Sequence, residues 1–341
     1  MRVVDRSTAR NYMKYLNKAR SDYASTNEKI ASGKRFDKIS QDVIAGTKVL
    51  RVRTDLCKAE TQLGNIKSAQ EELRTTELAM TAINNILTSA SAEKINAALS
   101  EDKGEVGRIA IANEIEAMRN EILQYANTKY SSRYVFGGSN SSYTAPFSIN
   151  SDGKLLYNGI NVDLIQQDID GSLYYMNAGV KTKISLDTDV YLDIGLGIKL
   201  QGTAVDPNTG FKISYSGLEL LGFGRNSEGI SNNIFNVLTE IENNIRNYDF
   251  EKLNNLHSHF RTLCDSFRAN LTDIGAKTKH LDTMEERLNN SIDSYKSRIN
   301  TLMGIDDAEE VMNQSMNEYV LKAVIQMGAK LLPVTLMDFL R

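Results

Sequence analysis

The chain has 341 residues, of which 41% are hydrophobic and 24% are charged, with 40 Lys and Arg against 43 Asp and Glu. A net charge of −3 does not indicate the basic surface that nucleic-acid binding needs. The apolar runs are far too short to span a membrane. The N-terminus is basic but has no apolar core region, which predicts the absence of a cleaved Sec signal peptide.

The N-terminal segment shows a heptad pattern. Mostly apolar residues recur at steps of four and three, at Tyr12, Leu16, Ala19, Tyr23, Thr26 and Ile30. This spacing predicts a helix with one interaction stripe. Ser32-Gly33 is its predicted end, since glycine commonly follows the last helical residue.

Further heptad stretches follow on both sides of a different central region. If residues 43–103 form one helix, that helix would be roughly 90 Å long at the usual rise per residue. Shorter patterns cover 111–125, 234–248 and 253–302, with a break at Asn247-Tyr248-Asp249. A last helix is expected to begin at Asp306 or Asp307, where a carboxylate can cap the first turn.

The centre of the chain is rich in glycine and in turn signals. Fourteen of the 22 glycines lie between positions 137 and 230. Asp152-Gly153 and Asn158-Gly159 predict hairpins between short strands. The expected fold is α+β: a long antiparallel coiled-coil bundle formed by both chain ends, with a mainly-β domain inserted at its far end.

Three domains are predicted from these patterns. Residues 1–40 and 306–341 form terminal helices that serve as an assembly coiled coil. Residues 41–136 and 231–305 form a helical bundle, and residues 137–230 form the β-rich insert. Each terminal segment is one helix, and such a pair has little core of its own. It is therefore expected to pack on neighbouring subunits.

The predicted assembly interface comprises Tyr12, Leu16, Ala19, Tyr23, Ile30, Val311, Met312, Met316, Tyr319, Val320, Val324, Met327, Leu331, Leu336, Phe339 and Leu340. A second motif marks the border between bundle and insert, and it comprises Arg133, Tyr134, Phe136, Gly137, Gly138, Pro146 and Phe147. Its glycine pair lacks the GK[ST] ending of a phosphate loop and predicts a turn.

No catalytic or metal-binding constellation is recognisable, so the sequence predicts a protein that is not an enzyme and needs no cofactor or metal. His257 and His259 point about 200° apart on a helix and are expected to be solvated. Asp187, Asp189 and Asp193 are interpreted as a solvated strand face. Cys57 and Cys264 are predicted to be reduced thiols on helices, and a bridge between them stays open.

Several stretches resemble a known family. "TNEKIASGKRFDKISQDVIAGTKVLRVR" (26–53), "DIGAKTKHLDTMEERLNNS" and the ending "KLLPVTLMDFLR" are similar to the termini of the bacterial flagellin superfamily. "YSSRYVFGGSNSSYTAPF" (130–147), followed by "LLYNG", resembles the hook–filament junction proteins of that superfamily, the hook-associated protein 3 family. The chain departs from the superfamily at Gln41-Asp42-Val43, where an acidic pair is common, and matches only in style over 160–230.

The resemblance implies a structural role in the bacterial flagellum, as an adaptor between hook and filament. It implies extracellular localisation after export by the flagellar type III apparatus. The implied partners are copies of the chain in a ring, hook-associated protein 1, flagellin, and an export chaperone on the C-terminal helix. No nucleic-acid or membrane partner is expected. Two alternatives stay open: a flagellin filament subunit, or a type III-secreted coiled-coil tip or translocator protein.

Overall fold

The structure is a computed structural model that describes residues 2–100, 104–131, 133–138, 144–168, 172–177, 179–184, 191–193, 197–201, 204–206 and 210–339. Side chains are described for these residues except 2–6, 201, 204 and 331–339. The described residues form the α-helices α1 (Arg2–Ser32), α2 (Val43–Ser89), α3 (Asn96–Leu99), α4 (Glu105–Ala126), α5 (Gly217–Leu221), α6 (Ile234–Asn247), α7 (Phe250–Met303) and α8 (Asp307–Phe339).

The strands are short and lie between α4 and α5. They are β1 (Lys129–Tyr130), β2 (Arg133–Tyr134), β3 (Phe147–Ile149), β4 (Leu155–Tyr157), β5 (Ile160–Asn161), β6 (Ile165–Gln167), β7 (Leu173–Asn177), β8 (Val180–Lys183), β9 (Tyr191–Asp193), β10 (Leu200–Gln201), β11 (Ala204–Val205) and β12 (Gly210–Lys212). All pair antiparallel, as β1-β2, β3-β4-β5, β6-β7-β8, β9-β12 and β10-β11. This architecture confirms the predicted α+β fold, with terminal helices packed together and a mainly-β insert.

The chain divides into two compact units: residues 1–60 with 289–341, and residues 61–288. In the first unit, α1 packs along α8. A small apolar cluster formed by Phe36, Ala45, Val49 and Met303 lies beside them, with Ile299 and Leu302 against it. The Arg35 amide donates to the Met303 carbonyl over 2.7 Å, which ties the loop after α1 to the end of α7.

The second unit has a larger core. Helices α4 and α6 pack together, and the fully buried side chains include Phe147, Tyr157, Phe235, Phe260 and Phe267. Helix α6 begins at the cap Asn233, whose side chain accepts from the amides of Phe235 and Asn236. It ends at Tyr248, which adopts left-handed backbone angles. The predicted break at 247–249 is therefore confirmed.

The helix following α1 differs from the prediction in one respect. The stretch 43–103 is not one regular α-helix: α2 ends at Ser89 and a π-helical turn follows at Ala90–Ile95, before α3. Residues 101–103 of the predicted span lie outside the described residues. A π turn holds one more residue than an α turn, so it shifts the phase of the stripes on either side. The predicted helix ends at Ser32 and Gly304 are confirmed, and Asp306 caps α8 by accepting from Ala308 and Glu309.

Candidate assembly surface

Helix α8 meets α1 through a stripe of mainly polar and small residues. The stripe steps by four and three through Glu310, Gln314, Asn317, Leu321, Val324 and Gly328. Gln314 donates to Asn27 over 2.5 Å, and Asn317 donates to Thr26 over 2.8 Å. Glu310 lies 3.3 Å from the Lys29 ammonium. These directional contacts fix the register of the two helices, because a slip of one turn would break all of them.

The α1 side of this contact is the predicted heptad stripe. Ala19 and Thr26 are buried, and Tyr12, Leu16, Tyr23 and Ile30 are half-buried. The hydroxyl end of the Tyr12 ring occupies the space that a Cβ at position 328 would need, so glycine allows the close approach. The structure therefore places the predicted α1 residues on the face that meets α8.

The predicted apolar residues of α8 lie mostly in solvent. Met312, two positions from both Glu310 and Gln314, is about 200° around the helix from each of them. Its relative exposure is 65%, and that of Tyr319 is 75%. The other exposed members of the predicted set are Val311, Met316, Val320 and Met327. Val324 is half-buried, the side chains of Leu331, Leu336 and Phe339 are outside the described set, and Leu340 lies outside the described residues.

A groove of about 590 Å³ runs along one side of the α1–α8 pair. Its walls include Tyr12, Tyr15, Val320, Val324 and Met327. Tyr15 and Met13 of α1 are exposed, as is Ile325 of α8, and the sequence prediction did not include these three. Each lies off the heptad stripe, so periodicity alone could not find it. Their apolar character at positions outside the stripe, on a helix pair with little core of its own, could have indicated that they are exposed.

A second exposed apolar group lies in the same unit, at the start of α2. Ile39, Val43, Ile44 and Leu50 are all exposed. Ile39 packs against Gly46, where a Cβ would approach the Ile39 side chain to 2.9 Å. This group, like the α8 stripe, leaves large apolar side chains substantially exposed in the single chain.

The predicted border motif forms a packed joint in the second unit. Tyr134, Phe136 and Phe147 are buried. Gly137 pairs with Ser216, and the Gly217 amide donates to the Phe136 carbonyl over 3.0 Å. Gly138 has φ +64°, a left-handed turn conformation that favours glycine. The glycine pair therefore turns the chain, as predicted. Gly137 also pairs with Ser216 in the segment before α5.

Phe147 is held from both sides. Its ring lies over Gly217, where a Cβ would overlap the ring, and it contacts Tyr157 edge-on with centroids 5.0 Å apart. The Asn127 side chain pairs with the backbone of Phe147: its amide nitrogen donates to the carbonyl over 3.0 Å, and its oxygen accepts from the amide over 3.1 Å. Sequence reasoning missed Asn127 and Gly217, because both contacts join residues that are distant in the chain.

Polar contacts of the β1–β2 hairpin attach it to α2. The Arg133 guanidinium pairs with the Glu72 carboxylate. The Tyr130 hydroxyl donates to Glu71 over 2.8 Å, and this hydrogen bond is the main reason that the pKa of Tyr130 is raised. Arg133, a residue of the predicted border motif, therefore anchors the β1–β2 hairpin to α2.

A buried polar network joins the insert to α6. Asp163 accepts from Ser231 over 2.6 Å, from Asn236 over 2.8 Å and from Arg225 over 2.9 Å. The Lys154 ammonium lies 3.3 Å away. Burial opposes ionisation of Asp163, but these hydrogen bonds outweigh it and its pKa is lowered. A charged carboxylate therefore holds four segments of the chain together, and no local pattern around Asp163 predicts this role.

The two histidines are half-buried and each has a hydrogen-bond partner in the chain, so they are less solvated than predicted. His257 lies 3.2 Å from the Ser91 hydroxyl, and His259 lies 3.0 Å from the Ser231 carbonyl. Both helix faces pack against other segments that the sequence pattern did not reveal. Cys264 is buried, which raises the pKa of its thiol to about 12, while Cys57 is exposed.

The described residues contain no group of three or more His, Cys, Asp or Glu placed to hold a metal ion. Asp187 and Asp189 lie outside the described residues, and Asp193 accepts from the Gly197 amide over 3.1 Å. Among the helices in the described part of the chain, none has the length and apolar character to cross a membrane.

Comparison with known proteins adds a family match. Residues 5–141 match the model of the bacterial flagellin N-terminal helical region. This chain carries a flagellin-type N-terminal region. The match covers α1 to α4 and the β1–β2 hairpin, and it ends just after Gly138 of the border motif. No curated protein matches the chain at a significant level.

Solved structures similar to this chain come from several bacteria. A Vibrio parahaemolyticus protein assigned as a flagellar hook-associated protein has a TM-score of 0.54 at 14% identity, covering 77% of this chain and 100% of the other. Flagellar hook associated protein-3 of Legionella pneumophila has a TM-score of 0.50 at 18% identity, covering 74% and 98%. Bacillus cereus FlgL has 0.49 at 20%, covering 73% and 98%. The first two similarities establish a shared fold.

Proposed function

We propose that this chain is a structural subunit of the bacterial flagellum that joins the hook to the filament. The observation that carries the proposal is the exposed apolar stripe of α8: Gln314 and Asn317 bond to α1, while Met312, Met316 and Tyr319 lie in solvent. A helix normally does the reverse. The shared fold with structures named as hook-associated proteins supports the choice of assembly.

The exposed stripe of α8 is proposed to pack against neighbouring subunits. Large contiguous apolar patches on a soluble chain mark interaction sites. Burying a Met or aromatic side chain contributes about 1.5–3 kcal/mol, so Met312, Met316 and Tyr319 together would give a strong drive to assemble. The group at Ile39, Val43, Ile44 and Leu50 is proposed to contribute in the same way.

The finer assignments follow the same proposal. The neighbours are copies of this chain, hook-associated protein 1 and flagellin, and the location is the extracellular axial structure. A chaperone is proposed to cover α8 before export by the type III apparatus, since a methionine-rich apolar face is an adaptable ligand. The division into terminal, bundle and insert domains, with the insert facing outward, remains a prediction.

A gene deletion tests the function itself. Cells should make hooks without filaments and release abundant unpolymerised flagellin, because the filament would have no base to grow from. The readouts are electron microscopy and a protein gel of the culture medium. Bare hooks without released flagellin would instead indicate a filament subunit, an alternative that the flagellin-type match favours. Normal filaments would contradict both.

A paired substitution tests the surface. Met316→Ser with Tyr319→Ser removes two exposed apolar side chains and should leave the helix content and melting temperature of the purified chain unchanged. It should fail to restore filaments in the deletion strain. Asn313→Ser with Gln326→Ser, two exposed polar positions of the same helix, is the matched control and should restore them. Equal restoration by both pairs would contradict the surface assignment.

A further inference from the structure

A polar cleft of about 300 Å³ opens in the second unit, between the end of α2 and α7. Side chains around it include Thr88, Ser91, Asn96, His257, Arg261 and Arg268. This volume is at the lower end of the range for small-ligand pockets. The cleft belongs to a helical region, where facing helices are normally packed without space between them.

The π turn at Ala90–Ile95 forms one wall of the cleft. Its wider turn moves Ser91 and the residues after it out of the α-helical phase. The other wall is one face of α7, since His257, Arg261 and Arg268 are four and seven residues apart. The Ser91 hydroxyl and His257 Nε2 meet across the gap at 3.2 Å. Isolated π turns of this kind are frequent at functional sites.

The charge in the cleft is positive and incompletely neutralised. Arg268 is fixed by Asp265 over 2.8 Å, by Asn84 over 3.3 Å and by Thr88 over 3.3 Å. The Arg261 guanidinium forms no ion pair or hydrogen bond with any residue that the structure describes. Burial and the nearby Arg261 charge lower the pKa of His257, as expected beside a cation that lacks a counter-charge.

We propose that this cleft binds a phosphate or sulfate group, held by Arg261 and by the hydroxyl donor of Ser91, whose oxygen pairs with the His257 imidazole. A guanidinium is suited to oxyanions because its planar donors match their oxygens. Ser91 adds a hydroxyl donor, and Asn96 adds an amide donor at the rim. The cleft exceeds the needs of a bare ion, so it has room for a small phosphate or sulfate ester. The role is binding, since burial keeps the Cys264 thiol protonated and unreactive.

The test uses the full chain and nuclear magnetic resonance of its three histidines, with His257→Gln to assign the signal. Inorganic phosphate, added at constant ionic strength, should shift the His257 signal saturably. Arg261→Gln should weaken this binding by about tenfold or more, because a charged hydrogen-bond donor is lost. Arg298→Gln, an exposed arginine of the same helix outside the cleft, is the control and should leave the affinity unchanged.

Glycerol phosphate serves as a second probe that distinguishes the source of the anion. Tighter binding than inorganic phosphate would support an ester ligand, and equal binding would support the free ion. In both cases, Arg261→Gln should weaken binding of the probe. The proposal is overturned if neither probe shifts the His257 signal saturably, or if Arg261→Gln and Arg298→Gln behave alike, which would indicate general charge screening.

Discussion

The two units of this chain differ in how much of their apolar surface they leave exposed. In the second unit, aromatic and aliphatic side chains such as Phe147, Tyr157 and Phe235 are fully enclosed. In the first unit, Asn27, Gln314 and Asn317 contribute hydrogen bonds to the α1–α8 contact, while Met312, Met316 and Tyr319 of α8 are exposed. The comparison teaches that the large fully buried aromatic side chains are concentrated in the second unit, whereas the first unit leaves large apolar side chains of α8 exposed in the single chain.

The largest effect is expected from the core of the second unit. Phe147→Ala should lower the free energy of unfolding by about 3–5 kcal/mol, because it removes a fully buried ring. Urea unfolding followed by circular dichroism measures the change. Tyr15→Ala, in the first unit and 63% exposed, is the control and should change it by no more than about 0.5 kcal/mol. Similar losses in both variants would remove the contrast between the units.

A smaller effect is expected from the Asp163 network. Asp163→Asn should cost about 1–3 kcal/mol at pH 7, because hydrogen-bond donors around it lose a charged acceptor. The folded-state pKa of Asp163 is lowered, so its contribution is present above the unfolded value near 3.8 and is lost as pH falls through the folded value.

Urea midpoints measured from pH 7 down to pH 3 should therefore show the wild type and Asp163→Asn converging in acid. Asp293→Asn, which changes an exposed aspartate, is the control and should follow the wild type throughout. A constant difference between wild type and Asp163→Asn at every pH would show that the loss comes from packing and not from the carboxylate charge.

The smallest effect is expected where α1 meets α8. Alanine is the better helix former by about 1 kcal/mol, yet Gly328→Ala should destabilise the pair by about 1 kcal/mol because the new methyl group meets the Tyr12 ring. In a Tyr12→Ala background the same change should become stabilising. Gly64→Ala, at a site open on all sides, should stabilise in both backgrounds. A Gly328→Ala effect that ignores residue 12 would contradict the close contact.

The sequence was most informative where the structure depends on local periodicity. The stripe from Tyr12 to Ile30 predicted the face of α1 that meets α8, and the glycine pair at 137 and 138 was correctly interpreted as a turn. The partner stripe on α8 was not predictable in the same way. Its members include Gln314, Asn317 and Gly328, which a search for apolar periodicity does not detect. Only the packing of α1 against α8 shows that they face another helix.

Long-range contacts account for the rest of what was missed. Asn127 and Phe147 are 20 residues apart, and Asp163 meets residues more than 60 positions away. His257 and His259 were expected in solvent because nothing in their own helix reveals Ser91 or Ser231. Such pairs depend on tertiary geometry, which local pattern and residue type do not encode.

The side-chain amide of Asn127 has a consequence for how the protein behaves when crowded. Strand β3 is the outer strand of its three-stranded sheet, and an outer strand offers unpaired backbone groups on which another chain can add a strand. By engaging both the amide and the carbonyl of Phe147, Asn127 closes that edge at its most apolar residue. The backbone of Phe147 is therefore not available for pairing with a strand of another copy, which lowers the tendency of this edge to aggregate.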